Sequence, residues 1–153
     1  MKLLGQDRPG HILTIILIAA IMAGLTALGY TLATTYESEK FSEFYILGQD
    51  GLAENYPAKL TVGERASVIA GISNFEGKEL SYRLEIVMGN KNIAEVGPIL
   101  LADDETWEDS VFWIPEVAGD NQKVEFFLYK GNDAVQPTLE PLHLWVDVNE
   151  TSD

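Results

Sequence analysis

The sequence has no cysteine. Disulfides, thiolate metal sites and thiol nucleophiles are therefore excluded, and the redox compartment leaves no mark on the composition. Histidine is scarce too: only His11 and His143 occur in 153 residues. Zinc draws three or four ligands from Cys, His and carboxylates, so this inventory argues against a zinc site. A Ser–His–Asp site would have to use His143, and no Gly-x-Ser-x-Gly elbow accompanies it. A glycine-rich phosphate loop is also missing, and no cofactor is expected. Basic residues are few, 10 Lys+Arg against 24 Asp+Glu, for a formal charge of −14. Nucleic acid needs cations to neutralise its phosphates, so that class of partner is excluded.

Apolar residues are not scarce. They make up 46% of the chain, which excludes wholesale disorder, and the length fits one compact domain. Their distribution is uneven. Residues 12–35 carry no charge. As a helix this run would extend about 36 Å, enough for a hydrocarbon core of about 30 Å. No polar face interrupts it, as one would in a soluble helix. Lys2 and Arg8, partly offset by Asp7, lie on its N-terminal side, and Glu37 and Glu39 open the other. The positive-inside bias places residues 1–11 in the cytoplasm and the remainder outside, as a single-pass protein of the cell membrane. Tyr30 and Tyr36 fall where an outer aromatic belt would lie. A cleaved signal peptide is the rival reading, with Ala27-Leu28-Gly29 as the cleavage site, but the apolar run continues past it. Ala19, Ala23 and Ala27, with Ala20 and Gly24 beside them, form a small-residue stripe that ordinary membrane-helix composition explains and that also suits helix–helix docking.

After a short linker at 36–40, the chain changes character. Beyond Thr35 there are 23 acidic and 8 basic residues. Apolar residues now alternate with polar ones, as in half-buried strands. The runs are Phe44–Leu47, Leu60–Val62, Val68–Ile72, Tyr82–Met88, Pro98–Leu101, Trp107–Ile114, Val124–Leu128 and Leu142–Val148. Gln49-Asp50-Gly51, Gly89-Asn90, Gly119-Asp120-Asn121 and Gly131-Asn132-Asp133 supply turns. Seven or eight short strands over residues 41–149 predict an all-β fold, an immunoglobulin-like antiparallel β-sandwich without the Cys–Trp–Cys hallmark. Leu84, Ile86, Phe126, Leu128, Leu144 and Val146 are the expected core. Residues 150–153 form a tail.

The segment from Phe41 to Glu76 resembles the C-terminal portion of a mostly archaeal membrane-protein family, domain of unknown function 1616. The matching residues are Glu43 to Gly48, Asp50-Gly51, Ala53, Tyr56-Pro57, Val62-Gly63-Glu64 and Asn74 to Glu76, with Leu142 to Val148 as a last strand. The resemblance implies a hydrophobic helix followed by this domain and implies no activity. Longer members have several membrane helices where this chain has one. The matched residues read mainly as turns and packing: Asp50-Gly51 suits positive φ at glycine, Gly63 suits a turn before a strand, and Pro57 biases Tyr56 toward extended backbone.

Three features are candidate sites. If the strands around residues 123–130 and 142–148 are neighbours, Phe127, Tyr129, His143 and Trp145 share the outer face as a partner-contact surface, unless loops or a sheet edge cover them. Asp103, Asp104 and Glu105 form an acidic run with oxygen ligands for calcium, although consecutive acids usually form a solvated face and EF-hand spacing is missing. Asn149-Glu150-Thr151 matches a glycosylation acceptor.

The leading expectation is a non-catalytic, membrane-anchored accessory subunit that contacts another membrane or envelope protein or a second copy of itself. A pilin-like filament subunit is the alternative, with a leader ending at Arg8-Pro9-Gly10. The glutamate usual five residues into such mature chains would be Ile15 here, and an intact mass lacking residues 1–10 would identify that case. A carboxylate- or metal-dependent enzyme is the third reading, and elemental analysis separates it.

Overall fold

The computed structural model describes residues 8–35, 39–131 and 133–151. Lys2, Asp7, Tyr36, Glu37 and Asn132, on which parts of the sequence reading rest, lie outside the described residues. The chain divides into two units, residues 1–38 and 39–153.

Among the described residues the first unit is one helix, α1 (Arg8–Thr35), starting four residues earlier than the apolar run predicts. Its Gly10–Thr34 stretch is long and apolar enough to cross a bilayer, with a mean hydropathy of 2.5. Four threonine hydroxyls are satisfied within the helix. Thr14 donates to the Gly10 carbonyl (2.8 Å), Thr26 to Met22 (2.9 Å), Thr31 to Leu28 (2.8 Å) and Thr34 to Tyr30 (2.8 Å). Such back-bonding hides polar atoms that hydrocarbon cannot solvate. Ala19, Ala20, Ala23, Gly24 and Ala27 are all exposed on this helix.

The second unit is a sandwich of eight strands: β1 (Phe41–Leu47), β2 (Lys59–Thr61), β3 (Ala66–Phe75), β4 (Leu80–Met88), β5 (Lys91–Leu101), β6 (Glu105–Trp113), β7 (Gly119–Lys130) and β8 (Leu142–Asn149). One sheet runs β1-β3-β6 and the other β2-β8-β7-β4-β5. Pairings are antiparallel, except that β2 lies parallel to β8. This is the A-B-E and A′-G-F-C-C′ arrangement of an immunoglobulin-like fold, with the first strand passing from one sheet to the other. The run at Pro98–Leu101 is the end of the longer β5. Its start, Lys91-Asn92, is polar, and its pairing with β4 shifts register between Tyr82 and Leu84, where Gly97 and Pro98 lie. Both features break the period-two pattern.

Alternation does set the core. Val68, Ala70 and Ile72 of β3, Leu84 and Ile86 of β4, and Val124, Phe126 and Leu128 of β7 are buried. Trp113 of β6 meets Phe126 of the other sheet edge to face, centroids 5.7 Å apart. The two rings fill the middle of a sandwich that has no disulfide there. Leu144, expected in the core, is half-buried and packs against its margin, whereas Val146 and Val148 are fully enclosed.

Candidate functional site

With Val124, Phe126 and Leu128 facing inward, the intervening residues of β7 face out. β8 is the neighbour of β7, as the contact-surface reading requires, with Lys123 opposite Trp145 and Glu125 opposite His143. β4 flanks β7 on its other side, placing Glu85 opposite Phe127 and Arg83 opposite Tyr129. Phe127, Tyr129, His143 and Trp145 therefore do share the outer face of the five-stranded sheet. They run as a stripe, beside a second stripe of Lys123, Glu125, Glu85 and Arg83.

Exposure grades along the aromatic stripe. Trp145 is 52% exposed and His143 is exposed, whereas Phe127 and Tyr129 are half-buried. His143 and Trp145 meet edge to face at 6.1 Å. The Arg83 guanidinium lies 4.7 Å from the Tyr129 ring centroid, in cation–π contact. Burial, then the neighbouring Glu85 carboxylate, push the Tyr129 phenol above its ordinary pKa. The charged stripe is paired within itself. Lys123 donates to Glu125 at 2.6 Å, and Arg83 Nε lies 3.2 Å from Glu85 Oε1, an ion pair out of line for a hydrogen bond. Arg83 also donates through Nη2 to the Ala134 carbonyl at 3.3 Å. These four charged residues were not part of the sequence-predicted site. The polar phase of β4 was legible, but its place beside β7 depends on a long-range pairing.

Two carboxylates of the acidic run accept backbone hydrogen bonds. Asp103 accepts from the Gly77 amide (2.7 Å), Glu105 accepts from the Ala102 amide (2.7 Å), and Asp104 takes a left-handed φ of 61°. Asp103 thus ties down the β3–β4 turn and Glu105 the β5–β6 turn, instead of converging on one point. Among the described residues no group of three or more His, Asp or Glu is placed to hold a metal ion. Asn149 is exposed, its amide 3.5 Å from the Leu60 carbonyl, and the Thr151 hydroxyl donates to Val62.

The residues behind the family resemblance take structural places. Gly51 and Gly63 have φ of +78° and +79°, as their turns require. Asp50 accepts from the Leu52 amide and from the Asn55 side chain, which hold its carboxyl below the usual carboxylate range, the Asn55 bond first. Tyr56 donates to the Ile46 carbonyl (3.0 Å). Asn74 is buried and donates to three carbonyls, of Lys78, Leu101 and Ala102, at 2.8 to 3.0 Å, while its oxygen accepts from the Glu76 amide. The Glu76 carboxylate accepts from Lys130 (2.7 Å) and Ser42 (2.9 Å), and Ser42 meets the Tyr82 hydroxyl at 2.8 Å. This polar knot ties β1 and β3 of one sheet to β4 and β7 of the other.

The sequence model described as a domain of unknown function, DUF1616, matches residues 35–147. No curated protein matches. Among solved structures, the chain is similar to the CARDB domain of a Pyrococcus furiosus protein, in two determinations. The solution structure shares 14% identity at a TM-score of 0.49, covering 71% of this chain and 96% of that one. The crystal structure, described as a complex with di-metal ions, shares 15% at 0.48 and covers 71% and 93%. A β-glucosidase from Listeria innocua, in complex with gluconolactone, is similar over 73% of this chain but only 16% of its own, with 13% identity and a TM-score of 0.41. The family match spans most of the chain beyond the helix, and this protein belongs to the DUF1616 family.

Proposed function

We propose that this protein is a non-catalytic, membrane-anchored interaction subunit. In this reading α1 spans the cell membrane with its N-terminus in the cytoplasm. The sandwich stands outside and contacts another envelope protein through Trp145, His143, Phe127 and Tyr129. The observation that carries the reading is the aromatic stripe, headed by a half-exposed tryptophan, beside a charged stripe whose Arg83–Glu85 and Lys123–Glu125 charges are already paired. Half-exposed aromatics flanked by polar groups are the usual anchors of protein contacts. The charge-free Gly10–Thr34 stretch of α1 supports the anchor, and the sparse inventory of nucleophiles and bases supports a binding role over catalysis.

Two measurements test it. The chain has no native cysteine, so single cysteines at exposed Ser110 and at position 2 report orientation through an impermeant thiol reagent on intact cells. Labelling at Ser110→Cys alone is expected, and labelling at Lys2→Cys alone reverses the orientation. Gentle detergent extraction should then recover a co-purifying chain with the wild type, and at least fivefold less with Phe127→Ala, Tyr129→Ala and Trp145→Ala combined. Equal recovery removes this face as the contact.

A further inference from the structure

We infer that the same sheet face also pairs with itself, so that the protein forms a two-fold dimer in its membrane; this rests on the contact-face reading above. The first argument is charge. Two-fold pairing lays a patch on its own copy, so a patch of one sign meets its own sign. Most of this protein fails that requirement. Of 8 basic and 23 acidic residues beyond Thr35, the outer face of the five-stranded sheet holds Lys59, Arg83 and Lys123 against Glu85, Glu95, Glu125 and Asp147. That leaves −1 on this face and −14 on everything else in the segment. Both signs are present, interleaved strand by strand, and two of the three cations are paired with carboxylates within the face. A second copy can therefore approach here without the repulsion it meets elsewhere. The apolar contribution comes from Trp145, Phe127, Tyr129 and Val87, which fill the same face.

The second argument is area. Strands about 4.8 Å apart, over a length of about 20 Å, give five strands a patch of about 400–500 Å² per copy. Two copies together bury about 900 Å², just under the ~1,000 Å² that a specific interface needs in solution. An anchor changes that balance, because confinement to one bilayer raises the effective concentration of one copy around another. The dimer is thus expected in the membrane and is expected to dissociate on dilution in detergent.

Disulfide trapping in native membranes, with the full chain, tests this. Lys123→Cys, Glu125→Cys and Glu85→Cys sample the face, and Ser110→Cys samples the outer face of the other sheet. At least one face position is expected to give disulfide-linked dimer under mild oxidation, at least tenfold above Ser110→Cys. Adding Trp145→Glu should lower that yield at least fivefold without lowering the amount of folded protein. Absence of dimer at all three face positions overturns the inference. So does an equal yield at Ser110→Cys, or a yield that Trp145→Glu leaves unchanged. If no face cysteine traps a dimer, yet the triple alanine variant still loses a different co-purifying chain, self-pairing fails and the contact-face reading survives; if neither changes, both fail.

Discussion

Gly71 shows how one residue can be fixed by a side chain on the adjacent strand. It lies between Tyr45 of β1 and Glu108 of β6 in the same row of the sheet. The Tyr45 ring crosses over it, and the hydroxyl donates to Glu108 at 2.7 Å, a bond that, ahead of burial, raises the tyrosine's pKa. A Cβ on Gly71 would stand 2.0 Å from Tyr45 Cζ. Gly71→Ala must therefore displace the ring, and a loss of about 1–3 kcal/mol is expected from chemical denaturation. In a Tyr45→Ala background the same substitution should cost only a few tenths of a kcal/mol, because the clash has gone. Asn74 is held differently, by its own four hydrogen bonds. Asn74→Ala leaves three carbonyls without their shared donor, and a loss of about 2–3 kcal/mol is expected. Asn74→Asp should not restore it, since an ionised carboxylate cannot donate. The asparagine was visible in the sequence as part of a family-like motif, but its partners were not, because they come from two turns separated by more than 20 residues.

At the scale of the strand, the information lies in phase. Period-two alternation identified the inward residues of β3, β4 and β7, since a strand packed on one side has no other way to bury its apolar residues. It also identified the outward aromatics of β7 and β8. It failed for β5, where polar residues at the start and Gly97-Pro98 in the interior hide an 11-residue strand. It overstated Leu144, which lies in phase with the core but near its margin. The acidic run, read alone, left calcium open; backbone amides of two separate turns engage Asp103 and Glu105, and no pattern in the run reveals that. Phase also separates two substitutions in adjacent strands. Leu128→Ala, on the inner side of β7, should cost about 2–4 kcal/mol. Trp145→Ala, on the outer side of β8, should change stability by no more than about 0.5 kcal/mol. Urea midpoints of the two variants check both numbers. A large loss for Trp145→Ala would give this tryptophan a packing role and weaken its assignment to the contact face.

For the molecule as a whole, two electrostatic effects act in opposite directions as pH falls. The net charge of −14 destabilises the compact state through self-repulsion, which weakens as carboxylates protonate toward the isoelectric point near 4.3. Glu76 opposes this trend. The hydrogen bond from Lys130 is the main cause of its lowered pKa; burial works against it, and the Ser42 hydroxyl adds to the lowering. A carboxyl whose folded pKa lies below its unfolded value contributes stability that is fully present above the unfolded pKa. That stability is lost as pH falls through the folded one. The side chain of Glu76 is 14% exposed but that of Lys130 is 34%, so solvent screens part of the pair. About 1–2 kcal/mol is accordingly expected from it at neutral pH. The wild-type urea midpoint should hold or rise from pH 7 toward the ordinary carboxylate range and then fall steeply below it. Glu76→Gln should start lower at pH 7 and show a shallower acid limb, since the group that would lose its charge is gone. Added salt at pH 7 should raise both midpoints by relieving the self-repulsion. If the two proteins instead had parallel acid limbs, the polar knot would not be the acid-sensitive joint between the sheets, and the carboxylates of the exposed turns would have to supply it.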